Sequence, residues 1–151
     1  MLNHSYLKFH IGPVQEFIAA ARRTQDLWMG SWLLSHLSRT AFQTVCNRAT
    51  PVLPHQLSST TPTDADTPNH FLLLVDAASG RALAEDMQKE VSAEWQRIAE
   101  KVRVPFFSDV TGTLWNPQIN SLLEIYWTLT PDDGSTKARA EAQAALDARK
   151  R

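Results

Sequence analysis

Residues 5–21 read SYLKFHIGPVQEFIAAA, and a change of period inside this stretch decides the fold class. Leu7, Phe9 and Ile11 alternate with Tyr6, Lys8 and His10, the period of two of a half-buried strand. Gly12-Pro13 stops it. Proline suits the first turn of a helix, where its missing N–H costs nothing. From Val14 onward the period becomes helical, with Val14, Phe17, Ile18 and Ala21 on one face. A strand thus feeds a helix through a glycine-proline turn.

Beyond this stretch, Arg22-Arg23-Thr24 breaks the apolar stripe. A longer helix is predicted from about Gln25 to Asn47, with Leu27, Ser31, Leu34, Leu37, Ala41 and Val45 on one face. Trp28 and Trp32 stand one turn apart on a neighbouring face, so this helix is expected to make contacts on two sides. Pro51-Val52-Leu53-Pro54 can only be an edge strand, because prolines bracket it. Residues 55–69, rich in Ser, Thr, Pro and Asp, read as an exposed loop. His70 to Val75 is almost continuously apolar, as in a central strand buried on both faces. Ser79 or Asp76 is expected to cap a helix whose core stripe is Leu83, Met87, Val91, Trp95, Ile98 and Val102. Residues 103–117, with Pro105, Gly112 and Pro117, read as irregular. Leu122 to Thr130 alternates again as a strand, and Pro131-Asp132-Asp133-Gly134 is a turn. An alanine-rich helix follows from about Ser135, with Leu146 as its main large apolar residue and so only weak anchorage expected. The order predicts an α+β fold, a ferredoxin-like βαββαβ plait with a doubled first helix, its helices on one face of the sheet. Residues 1–134 form the domain, and residues 135–151 a trailing C-terminal helix.

The bulk numbers fit this reading. The chain has 151 residues, enough for one domain with its own core. Hydrophobic residues make up 43% and charged residues 21%, which excludes a wholly disordered chain. The formal net charge is −1, so the chain as a whole is no electrostatic trap for nucleic acid. Both ends are locally basic: residues 1–50 carry five Lys and Arg against two acidic residues, as do the last 17. The single cysteine, Cys46, excludes a disulfide framework within the chain. It reads as a small buried hydrophobe, consistent with a reducing, cytoplasmic setting. No apolar stretch is long enough to span a membrane, and no partner membrane is expected.

Three local patterns could carry chemistry. The turn Gly12-Pro13-Val14-Gln15 presents backbone N–H groups where a strand meets a helix, and such groups can hold a phosphate. Arg22-Arg23 with Asp26 reads either as a pair of guanidinium groups for phosphate oxygens or as an i,i+4 Arg22–Asp26 pair on a solvated turn. Asp132-Asp133 is a carboxylate pair of the kind two-metal nucleotidyl transfer needs, but it follows proline and enters a helix, as a polar turn and cap would. The histidines at 4, 10, 36, 55 and 70 are scattered, with no metal-ligand spacing on a helix. No catalytic residue and no metal ligand is assigned. Trp28, Trp32 and Trp115 are candidates for base stacking or a partner interface, Trp95 and Trp127 for the core. A free-standing RNA-binding plait is the weakest reading, since no sheet aromatics at a stacking position are evident in the sequence.

The stretch IGPVQEFIAAARRTQDLWMGSWLLSHL, residues 11–37, resembles the start of the first palm domain in the large subunit of type III CRISPR effector complexes, the type III-B branch in particular. The Gly-Pro-Val-Gln turn, Phe17-Ile18, the Ala-Arg-Arg-Thr-x-Asp-Leu-Trp run and the run from Gly30 to Ser35 match together. Pro68-Asn69-His70-Phe71-Leu72, the helix ending near Trp95, and Glu124-Ile125-Tyr126-Trp127 are similar more loosely. The resemblance implies a palm half of a synthetase that makes cyclic oligoadenylate from ATP with Mg or Mn, in a site completed by a second palm. It implies other effector subunits as partners, with guide and target RNA met through the complex, and a role in antiviral defence. Gly12, Pro13, Val14 and Gln15 would wall the triphosphate side of a nucleotide site, with Arg22, Arg23 and Asp26 as neighbours. Trp28 and Trp32 would support a subunit interface. The sequence departs from the family in lacking a Gly-Gly-Asp-Asp hairpin and an HD nuclease domain, and it stops where a zinc-binding segment is expected. It is therefore expected to be a cut piece, a split gene product or a remnant, inactive alone.

Overall fold

The computed structural model describes residues 3–54, 67–135 and 137–150, apart from the side chain of Phe17. In chain order the elements are β1 (His4–Gly12), α1 (Val14–Ala20), α2 (Thr24–Val45), β2 (Ala49–Leu53), β3 (His70–Asp76), α3 (Gly80–Phe106), α4 (Gly112–Leu122), β4 (Glu124–Pro131) and α5 (Lys137–Arg149). The four strands form one antiparallel sheet in the order β2-β3-β1-β4. The α+β plait, the doubled first helix and the edge position of β2 follow the sequence expectation. Most of the exposed loop expected at 55–69 lies outside the described residues.

Alternation on β1 sends Leu7, Phe9 and Ile11 into the core under α2 and α3, all fully buried. Across the ladder Phe9 pairs with Phe71, their rings stacked at 5.5 Å, and Phe42 from α2 meets Phe71 edge-on. From α3 come Leu83, Met87, Val91 and Trp95. A Cβ on Gly80 would lie 3.0 Å from methyl groups of Leu129 and Val75, so glycine lets the first turn of α3 sit against the sheet. The stripe ends earlier than predicted. Val102 is exposed, and Ala99 is the last buried residue of α3.

Four further expectations are corrected. Residues 103–117 are largely helical: α3 runs through Pro105 to Phe106, and α4 contains Pro117. Each proline removes one helical N–H, but α4 buries no residue and is held from outside, where the Trp95 indole N–H donates to the Ile119 carbonyl at 2.8 Å and the Gln96 amide to Asn120 at 3.0 Å. At α3 neither Ser79 nor Asp76 caps with its side chain. The Ser79 hydroxyl turns back to the Asp76 carbonyl, and the Asp76 carboxylate accepts from the N–H of Ala78. Cys46 is half-buried at the end of α2 rather than enclosed.

The fourth correction concerns α5, which lies on the sheet face opposite α2 and α3 and is firmly held. Ala138 and Ala142 bury against Tyr6 and Leu72, and Leu146 is 1% exposed. Alanines let the helix backbone approach the sheet, so anchorage comes from closeness rather than from large side chains. The approach is close enough for the Thr128 hydroxyl to reach the Ala142 carbonyl at 3.5 Å. Arg149 closes the end of α5, donating to the Trp127 carbonyl at 2.8 Å with its guanidinium 5.0 Å from that indole ring.

Candidate functional site

The site begins where β1 ends. Gly12 and Pro13 are buried, Val14 is half-buried and Gln15 is exposed. A Cβ on Gly12 would meet His10 Nε2 at 3.4 Å and Glu124 Oε2 at 3.8 Å, so both side chains crowd over this glycine. Pro13 precedes α1, which has only seven residues and no side-chain cap.

Between α1 and α2 the backbone turns extended at Ala21 and Arg23. The Asp26 carboxylate folds back and accepts the N–H groups of Arg22 at 3.1 Å and Arg23 at 3.0 Å. An acid in the first helical turn satisfies donors that the helix leaves open and complements its dipole. The sequence pattern allowed an Arg22–Asp26 ion pair. The contact that forms is carboxylate to backbone, and the two exposed guanidinium groups have no ion-pair partner among the described residues.

Beside this turn lies a half-open groove of about 360 Å³, walled by Val14, Ile18, Leu27, Gly30, Leu34 and Asn69. That volume falls within the range of small-ligand sites. Asn69 locks the groove to the end of β1: its carbonyl accepts the Ile11 N–H at 2.8 Å and its amide donates to the Ile11 carbonyl at 3.0 Å. No sequence pattern assigned Asn69 to the site. Its signals were its place directly before the β3 run and its membership of the loosely similar stretch Pro68-Asn69-His70-Phe71-Leu72. Of the residues the sequence singled out for a nucleotide, only Val14 lines the groove, together with Pro68-Asn69 and residues of α1 and α2; Gly12, Pro13, Gln15, Arg22, Arg23 and Asp26 do not.

Other sequence candidates lie apart or have other duties. The Asp132 carboxylate accepts the Gly134 N–H at 3.0 Å, and Asp133 accepts that of Ser135 at 2.8 Å. Hydrogen bonds from Ser135 hold the Asp133 carboxyl below its usual range. Gly134, at φ +75°, takes the left-handed conformation that the turn needs. The pair is a turn and helix entry. Among the described residues no group of three or more His, Cys, Asp and Glu could hold a metal ion. Trp28 is 64% exposed, whereas Trp32 is half-buried and stacks on His36 at 5.1 Å. Trp115 packs on Phe107, and Trp127 donates to Gln88 at 2.9 Å. No helix among the described residues is long and apolar enough to cross a membrane.

Comparison with known proteins gives this geometry a context. The family model described as CRISPR-associated protein Cmr2, N-terminal, matches residues 6–100. No curated protein matches the chain. Among solved structures, the Csm1-Csm4 cassette in complex with AMPPNP is similar at 14% identity and a TM-score of 0.53, over 96% of this chain and 18% of that one. The cassette in complex with pppApApA is similar at 15% identity and a TM-score of 0.49, with the same coverage. The chain thus spans 18% of the length of those it matches. At such identity the likeness speaks for the fold alone.

Proposed function

This chain belongs to the family of the N-terminal region of the CRISPR-associated protein Cmr2, and on that premise we propose that it is the first palm of the large subunit of a type III-B RNA-guided effector complex. It binds ATP together with a second palm, and the assembled pair makes cyclic oligoadenylate in cytoplasmic antiviral defence. Guide and target RNA reach it through the complex, alongside other effector subunits.

In this reading Gly12, Pro13, Val14 and Gln15 wall the triphosphate side of the nucleotide. Arg22 and Arg23 bind its oxygens, and Asp26 holds the backbone of both arginines in place. The observation that carries it is the pair of exposed guanidinium groups on the turn between α1 and α2, where the Asp26 carboxylate is spent on backbone N–H groups. Guanidinium groups so placed suit bidentate phosphate contacts. A Mg or Mn ion fits less well, because Asp26 is committed and Asp132 and Asp133 serve their own turn. Metal ligands therefore come from the second palm.

A second reading, a non-catalytic assembly module, is favoured by the apolar surface near the groove. Ile18, Leu27, Trp28 and Met29 are each 45–64% exposed, as in a contact that a neighbouring subunit would cover. Tagged purification from the native host, with mass spectrometry and RNA sequencing, tests the effector assignment. Recovery of repeat-type effector subunits and a guide RNA is expected; recovery of the chain alone overturns it. ATP binding to the assembly then separates the readings. Arg22→Ala with Arg23→Ala lowers affinity if the turn binds nucleotide and leaves it unchanged if the chain only assembles.

A further inference from the structure

The sequence showed no row of sheet rings because the row exists only across strands. His10 on β1 stands opposite His70 on β3 and opposite Tyr126 on β4. Residues directly opposed in antiparallel strands share a face, with Cβ atoms about 5 Å apart. Phe9 and Ile11 point into the core, so His10 and its two partners lie on the other face, the one that carries α5. His70 is exposed, His10 and Tyr126 are half-buried, and the three form a line across β3, β1 and β4.

Cations stand next to this line. Lys150, exposed just past the end of α5, and Lys8, buried two residues before His10, both act on the two histidines. Burial, reinforced by Lys150, His70 and Lys8, lowers His10 to about 4, and burial with the same lysines lowers His70. Burial thus disfavours a charge on either ring, and Lys150 supplies the charge beside them. Glu124, two residues before Tyr126, bounds the row at the Gly12 end.

We propose that His70, His10 and Tyr126, with Lys150 beside them, form a stacking platform for single-stranded nucleic acid, whose bases lie on the three rings while Lys150 meets its phosphates. Rings on one face of a four-stranded sheet stack bases whatever their sequence, here two on the central strands β3 and β1 and one on the edge strand β4, and a nearby cation follows the backbone. The proposal rests on the sheet face and does not use Arg22 or Arg23, although His10 adjoins Gly12 at the start of the nucleotide turn.

The test is fluorescence anisotropy of the full chain with labelled oligouridylate and oligothymidylate, each about eight nucleotides long. Saturable binding that weakens as salt rises is expected. Tyr126→Ala and His70→Ala each weaken it at least about fivefold, whereas Tyr126→Phe, which keeps the ring, binds as the native chain does. His70 is exposed, so its variant separates loss of binding from loss of folding, and circular dichroism confirms that each variant is folded. The Arg22→Ala, Arg23→Ala double variant binds as the native chain does. Preference for the RNA over the DNA probe, or equal binding of both, identifies the source of the strand and supports the platform either way. Absence of binding by both probes at about 50 mM salt overturns the proposal. So does binding that survives both ring deletions, or that is lost only in the arginine variant.

Discussion

His36 Nε2 lies 2.7 Å from Glu94 Oε1, a contact between α2 and α3 with both side chains more than four-fifths buried. Arg97, one turn along α3, grips the same carboxylate with two of its nitrogens. The Arg97 hydrogen bonds, with that of His36, hold the Glu94 carboxyl down to about 2, against an ordinary value of 4.5 and in spite of burial. A carboxyl depressed in the folded state stabilises it above the unfolded value and loses that contribution as pH falls through the folded one. Thermal stability is therefore expected to decline as pH drops from about 4.5 towards 2, and Glu94→Gln to flatten that decline. Melting curves across this window check it; equal slopes for the two proteins would show that Glu94 is not depressed.

Asp26 and its neighbouring arginines separate stability from binding. Asp26→Ala removes the acceptor of two backbone donors and is expected to cost about 1 kcal/mol. Arg22→Ala and Arg23→Ala, whose side chains are exposed and unpaired among the described residues, are expected to stay within about 0.5 kcal/mol of the native chain. Urea unfolding measures all three. A large loss at either arginine would mean that its guanidinium serves the fold.

Leu146 tests the docking of α5. It is 1% exposed on a helix whose other buried residues are Ala138 and Ala142. Leu146→Ala is expected to cost about 2–4 kcal/mol, with amide exchange speeding up along α5 before the strands. A loss below about 1 kcal/mol would place α5 off the sheet in solution.

Trp28, at 64% exposed, contributes little to the core. Trp28→Ser is expected to leave the melting temperature almost unchanged and to reduce recovery of other subunits with the tagged chain. A sharp drop in melting temperature would instead make Trp28 a packing residue.

Much of the fold was legible because it depends on neighbours in sequence. The alternation from Tyr6 to Ile11, the Gly12-Pro13 stop, the apolar run from Phe71 to Val75 and the edge strand between Pro51 and Pro54 are local patterns, and each formed the element its period demands. The turn at Asp132-Asp133-Gly134 was equally local, its carboxylates bonding donors two residues on. What the sequence did not reveal depends on contacts between distant segments. Prolines at 105 and 117 suggested irregular chain, but hydrogen bonds from α3 hold α4 helical. The alanines of α5 looked too small to anchor it until the sheet lay close enough to bury them. Asn69 joined the groove only through its bonds to Ile11, 58 positions earlier in the chain. His10, His70 and Tyr126 became a row only once strand register was set. By itself the sequence determined period and punctuation, which are properties of the chain within a few residues. Only the tertiary structure decided register and burial, because these depend on which surfaces meet.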